Sequence, residues 1–184
     1  MITLKNHINK TIVIASALTM VFSCKNNFED VKKIGISENA PIGIAENMNL
    51  KYTDSARVTA NLRSPKMLDY SNRDFPFSEF PNTVEMDLFD EDNKKSTITA
   101  DYAIVYDKTG LIDMQGNVVL ASSENDTLFA EQLYYDQNRQ WLFTNTSVTF
   151  KRKADILNGK GFDSDVKFTK AQVLEIDGSV SVDE

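Results

Sequence analysis

Two stretches of this chain say nearly the same thing. "ITADYAIVYDKTGLIDMQGNV" (98–118) and "LFAEQLYYDQNRQWLFTNTSV" (128–148) each open on an apolar residue, a variable one, Ala and an acid. Each then places Tyr-Asp before a polar turn and closes on Val. The offset is 30 residues from Ile98 to Leu128 and 29 from Leu128 to Leu157; it is 30 from Val118 to Val148 and 32 from there to Val180. Each unit is two strands and two turns. A lone hairpin cannot bury its apolar face and is marginal in water, whereas stacked copies bury a shared one. The repeat therefore predicts stacked antiparallel hairpins, with a third, degenerate copy at the C-terminus.

The flanking sequence reads the same way. "KYTDSARVTANLRS" alternates apolar Val58, Ala60 and Leu62 with polar residues, and "TVEMDLFD" alternates again. "STITADYAIVYD", "LIDMQGNVVLA", "TLFAEQLYYD", "WLFTNTSVTFK" and "ILNGKGFD" follow as strands, and "VKFTKAQVLEIDGSVSV" ends the chain. Asn, Asp, Gly and Ser fill the turns because they tolerate the dihedrals or bond their own backbone. Pro65, Pro76 and Pro81 cannot donate to a ladder, so residues 64–82 are expected to be edge strand or loop. No segment after residue 24 has a helical period. The expectation is an all-β domain over residues 51–184.

Ala100, Ala130 and Gly159 put a small residue early in successive strands, and Gly116-Asn117 and Gly161 sit where a strand must bulge. Such residues let a sheet curl. Ile98, Ile112, Met114, Val118, Leu120, Leu128, Leu133, Leu142, Val148, Phe150, Phe168 and Val173 alternate inward, and a curled sheet would make them a long trough suited to acyl chains. Asp113, Asn145 and Thr149 face the other way. Plain packing against the opposite sheet explains the periodicity more economically.

The N-terminus is of a different kind. Lys5 and Lys10 precede an apolar run over residues 11–22, and Ser23-Cys24 closes it. Twelve residues rising about 1.5 Å each reach about 18 Å, short of a ~30 Å hydrocarbon core. The run fits a lipoprotein signal (1–23) with Cys24, the only cysteine, as the lipidated first residue; an ordinary secretory signal is the alternative. Residues 24–50 are polar with scattered Ile and read as a tether.

Removing residues 1–23 takes away His7, the only histidine, with Lys5 and Lys10. It leaves 18 Lys+Arg against 27 Asp+Glu, a net charge of −9. That balance disfavours nucleic acid, because little is left to neutralise phosphates along a backbone. With no histidine and no free thiol, the commonest acid–base and nucleophilic groups are missing, and no catalytic role is expected. "DEDNK" (90–94) matches no ion-loop spacing, so no metal or cofactor is expected. "KRK" (151–153) falls in a turn, where solvation is the plainer reading than lipid phosphate. Trp141 reads as packing.

In their order, the segment beginning "FPNTVEMDLFDEDNKKSTITADYAIVYD", the Gly-Asn-Val, the Leu-Tyr-Tyr-Asp and the "GKGF" resemble the LptC family of lipopolysaccharide-export proteins across residues 52–182. The resemblance implies a twisted open β-jellyroll held beside an inner-membrane ABC lipid exporter in a Gram-negative envelope. It implies that the domain accepts lipopolysaccharide and passes it to a downstream periplasmic β-jellyroll; the third hairpin copy, with no fourth to cover it, makes the C-terminal edge the expected docking place. Family members usually hold the membrane through an N-terminal helix, whereas Cys24 points to a lipid anchor. The competing reading is a structural or interaction lipoprotein whose hairpins stack and bind no lipid; an open apolar trough or a filled interior separates the two.

Overall fold

The computed structural model describes residues 40–177. Among these there is no helix; eleven antiparallel strand segments share one sheet. They are β1 (Gly43–Asp54), β2 (Arg57–Asp69), β3 (Phe77–Phe80), β4 (Val84–Phe89), β5 (Lys95–Ala100) and β6 (Tyr102–Tyr106). β7 (Leu111–Ala121), β8 (Thr127–Asp136), β9 (Trp141–Arg152), β10 (Asp155–Asp165) and β11 (Gln172–Ile176) complete the set. β3 and β4 form one bent strand, as do β5 and β6, so the described residues make a nine-strand meander.

A bend line crosses this meander. β2 pairs β4 through residues 60–63 but β3 through 68–69, and β7 pairs β6 through 111–115 but β5 through 119–121. The ladders shift register between Gln115 and Val118, Ala130 and Tyr134, and Lys160 and Phe162. Asn47, Thr83, Gly116, Asn117 and Gly161 lie on this line with positive φ. Gly116 (φ 74) needs its missing side chain there, since a Cβ would stand 3.0 Å from the Asp101 carboxylate. Asp101 stitches the line: Thr83 N–H donates to its carbonyl at 2.8 Å, its own N–H donates to Gly116 at 3.0 Å, and Asn117 donates to its carboxylate at 2.7 Å. The line folds the meander into two half-sheets that face each other across one core, the jellyroll expected. It is open in the sense that β1 and β11 end the sheet unpaired with each other.

The repeat has a direct structural meaning. Leu62, Met86, Ile98, Leu120, Leu128, Phe150 and Leu157 stand opposite one another on successive strands as one row of the first half. Phe80, Ala103, Met114 and Leu133 form a row of the second half. Thirty residues cover two strands, so equivalent positions of each copy fall in the same row.

Four expectations need correction. The first strand begins at Gly43, inside the segment read as a tether over 24–50. Its alternation is weak because it is an edge strand, presenting Ile44, Glu46, Asn49 and Lys51 to solvent. Pro65 lies in β2, which is no edge; it fits because the β1 ladder skips it and both partner ladders on the other side stop short of it. "STITADYAIVYD" is two strands broken at Asp101. Phe168, expected on a strand, sits in the β10–β11 connection with φ 59.

Candidate functional site

Alternation put the twelve trough candidates on one face, and the structure brings them to one interior. Ile98 comes from β5, Ile112, Met114, Val118 and Leu120 from β7, and Leu128 and Leu133 from β8. Leu142, Val148 and Phe150 come from β9, Phe168 from the following connection and Val173 from β11. All belong to one apolar cluster; Val173 is half-buried and the rest are buried. Phe150 of the first half meets Phe162 of the second with ring centroids 5.4 Å apart, so the halves touch through their side chains.

The interior is therefore filled. Ile98, Ile112, Met114, Leu120, Leu128, Leu133 and Leu142 are each 0% exposed. The expected open trough is absent from the described residues: the candidate side chains are closed off in one cluster, and Phe150 meets Phe162 across the halves. Inner residues outside the twelve include Leu62, Phe80, Val84, Met86, Leu88 and Phe162. The alternation of "TVEMDLF" carried the signal for Val84, Met86 and Leu88.

Asp113, Asn145 and Thr149 do face outward, though Asp113 is 6% exposed. It lies opposite Ile104 and Tyr134, and its carboxylate accepts from the Gln115 and Gln132 amides, both at 2.8 Å. Two depressions, of 840 and 650 Å³, follow the bend line and meet at Asn117. Asn47, Ser64, Thr83, Asp101, Ser147 and Lys160 give them a polar lining, and Val118 and Val148 reach the larger from the inner rows.

Gly159 shows how tightly the far edge is built: a Cβ there would stand 2.3 Å from the Glu175 carbonyl oxygen, so β11 can pair with β10 only against glycine. Among the described residues no strand lies on the outer side of β11, and Leu174 and Ile176 are 54% and 53% exposed.

At the opposite side from the bend, the turns of one half reach the other. Arg152 donates to the Asp126 carboxylate at 2.8 and 2.7 Å and to the Phe168 carbonyl at 3.0 Å. Lys167 donates to Glu91 at 2.8 Å. Arg152 thus has specific partners, where the sequence suggested a solvated turn. Asp90 closes the β4–β5 turn by accepting from the Asp92 and Lys94 amides at 2.9 Å. No described group of three or more His, Cys, Asp or Glu could hold a metal, and no described helix is long and apolar enough to cross a membrane. The signal segment and Cys24 lie outside the described residues.

A family model described as "Lipopolysaccharide-assembly, LptC-related" matches residues 12–179, and no curated protein matches the chain. The match runs through every strand that lines the interior. This chain belongs to the LptC family, whose members take part in lipopolysaccharide transport in the Gram-negative envelope.

Proposed function

We propose that this protein is a non-catalytic carrier that takes the acyl chains of lipopolysaccharide between its two half-sheets. It receives the lipid from an inner-membrane ABC exporter and passes it to a periplasmic β-jellyroll docked on β11. One observation carries the reading: a single apolar interior runs across the sheet from Leu62 on β2 to Leu157 on β10, next to β11, the last of the described strands on that side. Backbone bonds hold each half together along its ladders, while the two interiors meet through side chains, which can part without breaking a ladder. Acyl surface moved from water into such an interior gains roughly 25 cal/mol per Å².

The filled interior favours a second reading, a stacked-hairpin lipoprotein without a lipid ligand. Photo-crosslinking residues at Leu142, Val148 and Thr149 separate the two. Under the carrier reading the first two capture lipopolysaccharide in cells and Thr149, on the outer face, does not. Equal capture from all three, or none, leaves stacking as the explanation.

The same reading holds the chain at the membrane by lipid on Cys24. Each buried CH₂ contributes about 0.8 kcal/mol, so several acyl chains anchor firmly. Cys24→Ala is expected to give an unprocessed or soluble product, as fractionation would show. A variant that is still cleaved and membrane-bound would rule the anchor out.

A further inference from the structure

The connection between β10 and β11 does more than reverse the chain. It turns two apolar side chains inward, Val166 (9% exposed) and Phe168 (6%), onto the end of the core cluster. Phe168 takes φ 59, a conformation a bulky L-residue adopts only when its surroundings impose it. Its surroundings do so from both directions. Within the connection, Phe168 N–H donates to the Asp165 carbonyl and Lys170 N–H to the Asp165 carboxylate, both at 3.1 Å. Across the mouth, Arg152 holds the Phe168 carbonyl while paired with Asp126, and Lys167 pairs with Glu91 of the β4–β5 turn. These ties join the end of the second half to turns of the first, on the side away from the bend.

The ties are exchangeable. Arg152 and Lys167 side chains are 39% and 33% exposed and Glu91 is 73% exposed, so neither cation is sealed from an anion in solution. The Lys167–Glu91 pair, open to solvent at Glu91, is the weak tie; the Arg152 pair is the firmer one, because the Asp126 side chain is only 9% exposed. Lys153 follows Arg152 and Lys170 follows Phe168 by two residues, on a chain of net charge −7; Asp90 and Asp92 lie near Lys167 and Glu124 lies near Arg152, so the charge here is mixed. A phosphate offers a guanidinium the same two-oxygen face as a carboxylate, with more charge.

We propose that residues 166–171 form a latch over one end of the apolar interior, and that phosphate groups of an incoming glycolipid open it by taking Arg152 and Lys167 from Asp126 and Glu91. Losing the Arg152 bond frees the Phe168 carbonyl, and the ring leaves the core as acyl chains enter. The proposal rests on the carrier reading and adds to it a headgroup site and an entry port.

The test uses the full-length protein with a photo-crosslinking residue at Leu142. It is exposed to a diphosphorylated, multiply acylated glycolipid, to its dephosphorylated counterpart, and to the latter with excess inorganic phosphate. The diphosphorylated form should be captured at roughly tenfold lower concentration, the scale of a charge-assisted bond. In Arg152→Gln/Lys167→Gln that preference should vanish, with the dephosphorylated lipid captured better than by wild type because the latch is untied. Lys167→Gln alone, at an exposed pair, keeps the fold and should narrow the preference. Equal capture of both lipids by wild type, or a preference unchanged in these variants, overturns the latch and leaves the carrier reading standing. Inorganic phosphate that restores capture of the dephosphorylated lipid would make free phosphate the ligand and overturn the headgroup claim. No capture of either lipid removes both proposals.

Discussion

Asp87 is covered by its sheet and still charged. Its side chain is 7% exposed, yet it accepts from Arg63 at 2.8 Å, Thr97 at 2.8 Å and Lys95 at 3.3 Å. Burial pushes its pKa up, but the bonds from Arg63, Thr97 and Lys95 and the Arg63 charge outweigh that and hold it below the usual carboxylate range. A carboxylate held below its unfolded value of about 3.9 stabilises the fold above that pH, and the contribution is lost as pH falls through the folded value. Asp87→Asn should therefore cost about 1–3 kcal/mol at neutral pH, with Arg63 and Lys95 left short of a partner. The cost should shrink progressively below about pH 4. Urea unfolding of both proteins from neutral to acid pH measures it, and a gap that stays constant with pH would mean that the cluster contributes packing and no charge.

Element by element, the two-residue period fixed much of what the structure shows. It placed β4 and β7 to β10 because one face of each is buried, and the glycines at 116 and 161 marked bulges because few other residues take their dihedrals. It failed where a strand's partners decide its course. Nothing local in "TITADYAIV" reveals that Asp101 will bond across to Thr83 and Gly116 and bend the strand. Nothing in "VKFTK" reveals that Phe168 leaves the strand to cap the core. Edge strands are the other weak point, since β1 has one partner among the described strands and a faint pattern. β11 is the edge with a proposed partner, and it exposes the apolar Leu174 and Ile176 beside the charged Glu175. Leu174→Lys with Ile176→Lys should abolish docking of the downstream β-jellyroll while thermal unfolding moves by only a few degrees, because neither side chain is in the core. Pull-down of the partner with a parallel melting curve checks both halves of that statement. Docking that survives the two lysines would place the partner elsewhere.

At the scale of the whole molecule, the sequence disclosed which side chains share the interior but left open whether that interior is hollow. Alternation reports the face a residue occupies; the distance to the facing row depends on how sharply the bend line folds the sheet, which is set by non-local contacts. A filled interior that must admit acyl chains makes a distinctive thermodynamic prediction. Leu128 lies mid-row between Leu120 and Phe150, 0% exposed. Leu128→Ala should destabilise the domain by about 2–5 kcal/mol, the transfer and cavity cost of such a truncation. If acyl chains occupy this interior, the vacated space is apolar and suits one, and wild type must displace side chains to admit the same ligand. A ligand that binds only the folded form raises its stability by about 2.7 kcal/mol at a hundred times its dissociation constant. A single-chain phosphorylated amphiphile, kept below its micelle concentration, should therefore raise the melting temperature of Leu128→Ala by roughly 5–10 °C, and that of wild type by clearly less. An equal shift in both proteins would place the amphiphile on the surface, and no shift in either would mean that the rows built by the repeat exist to pack against each other.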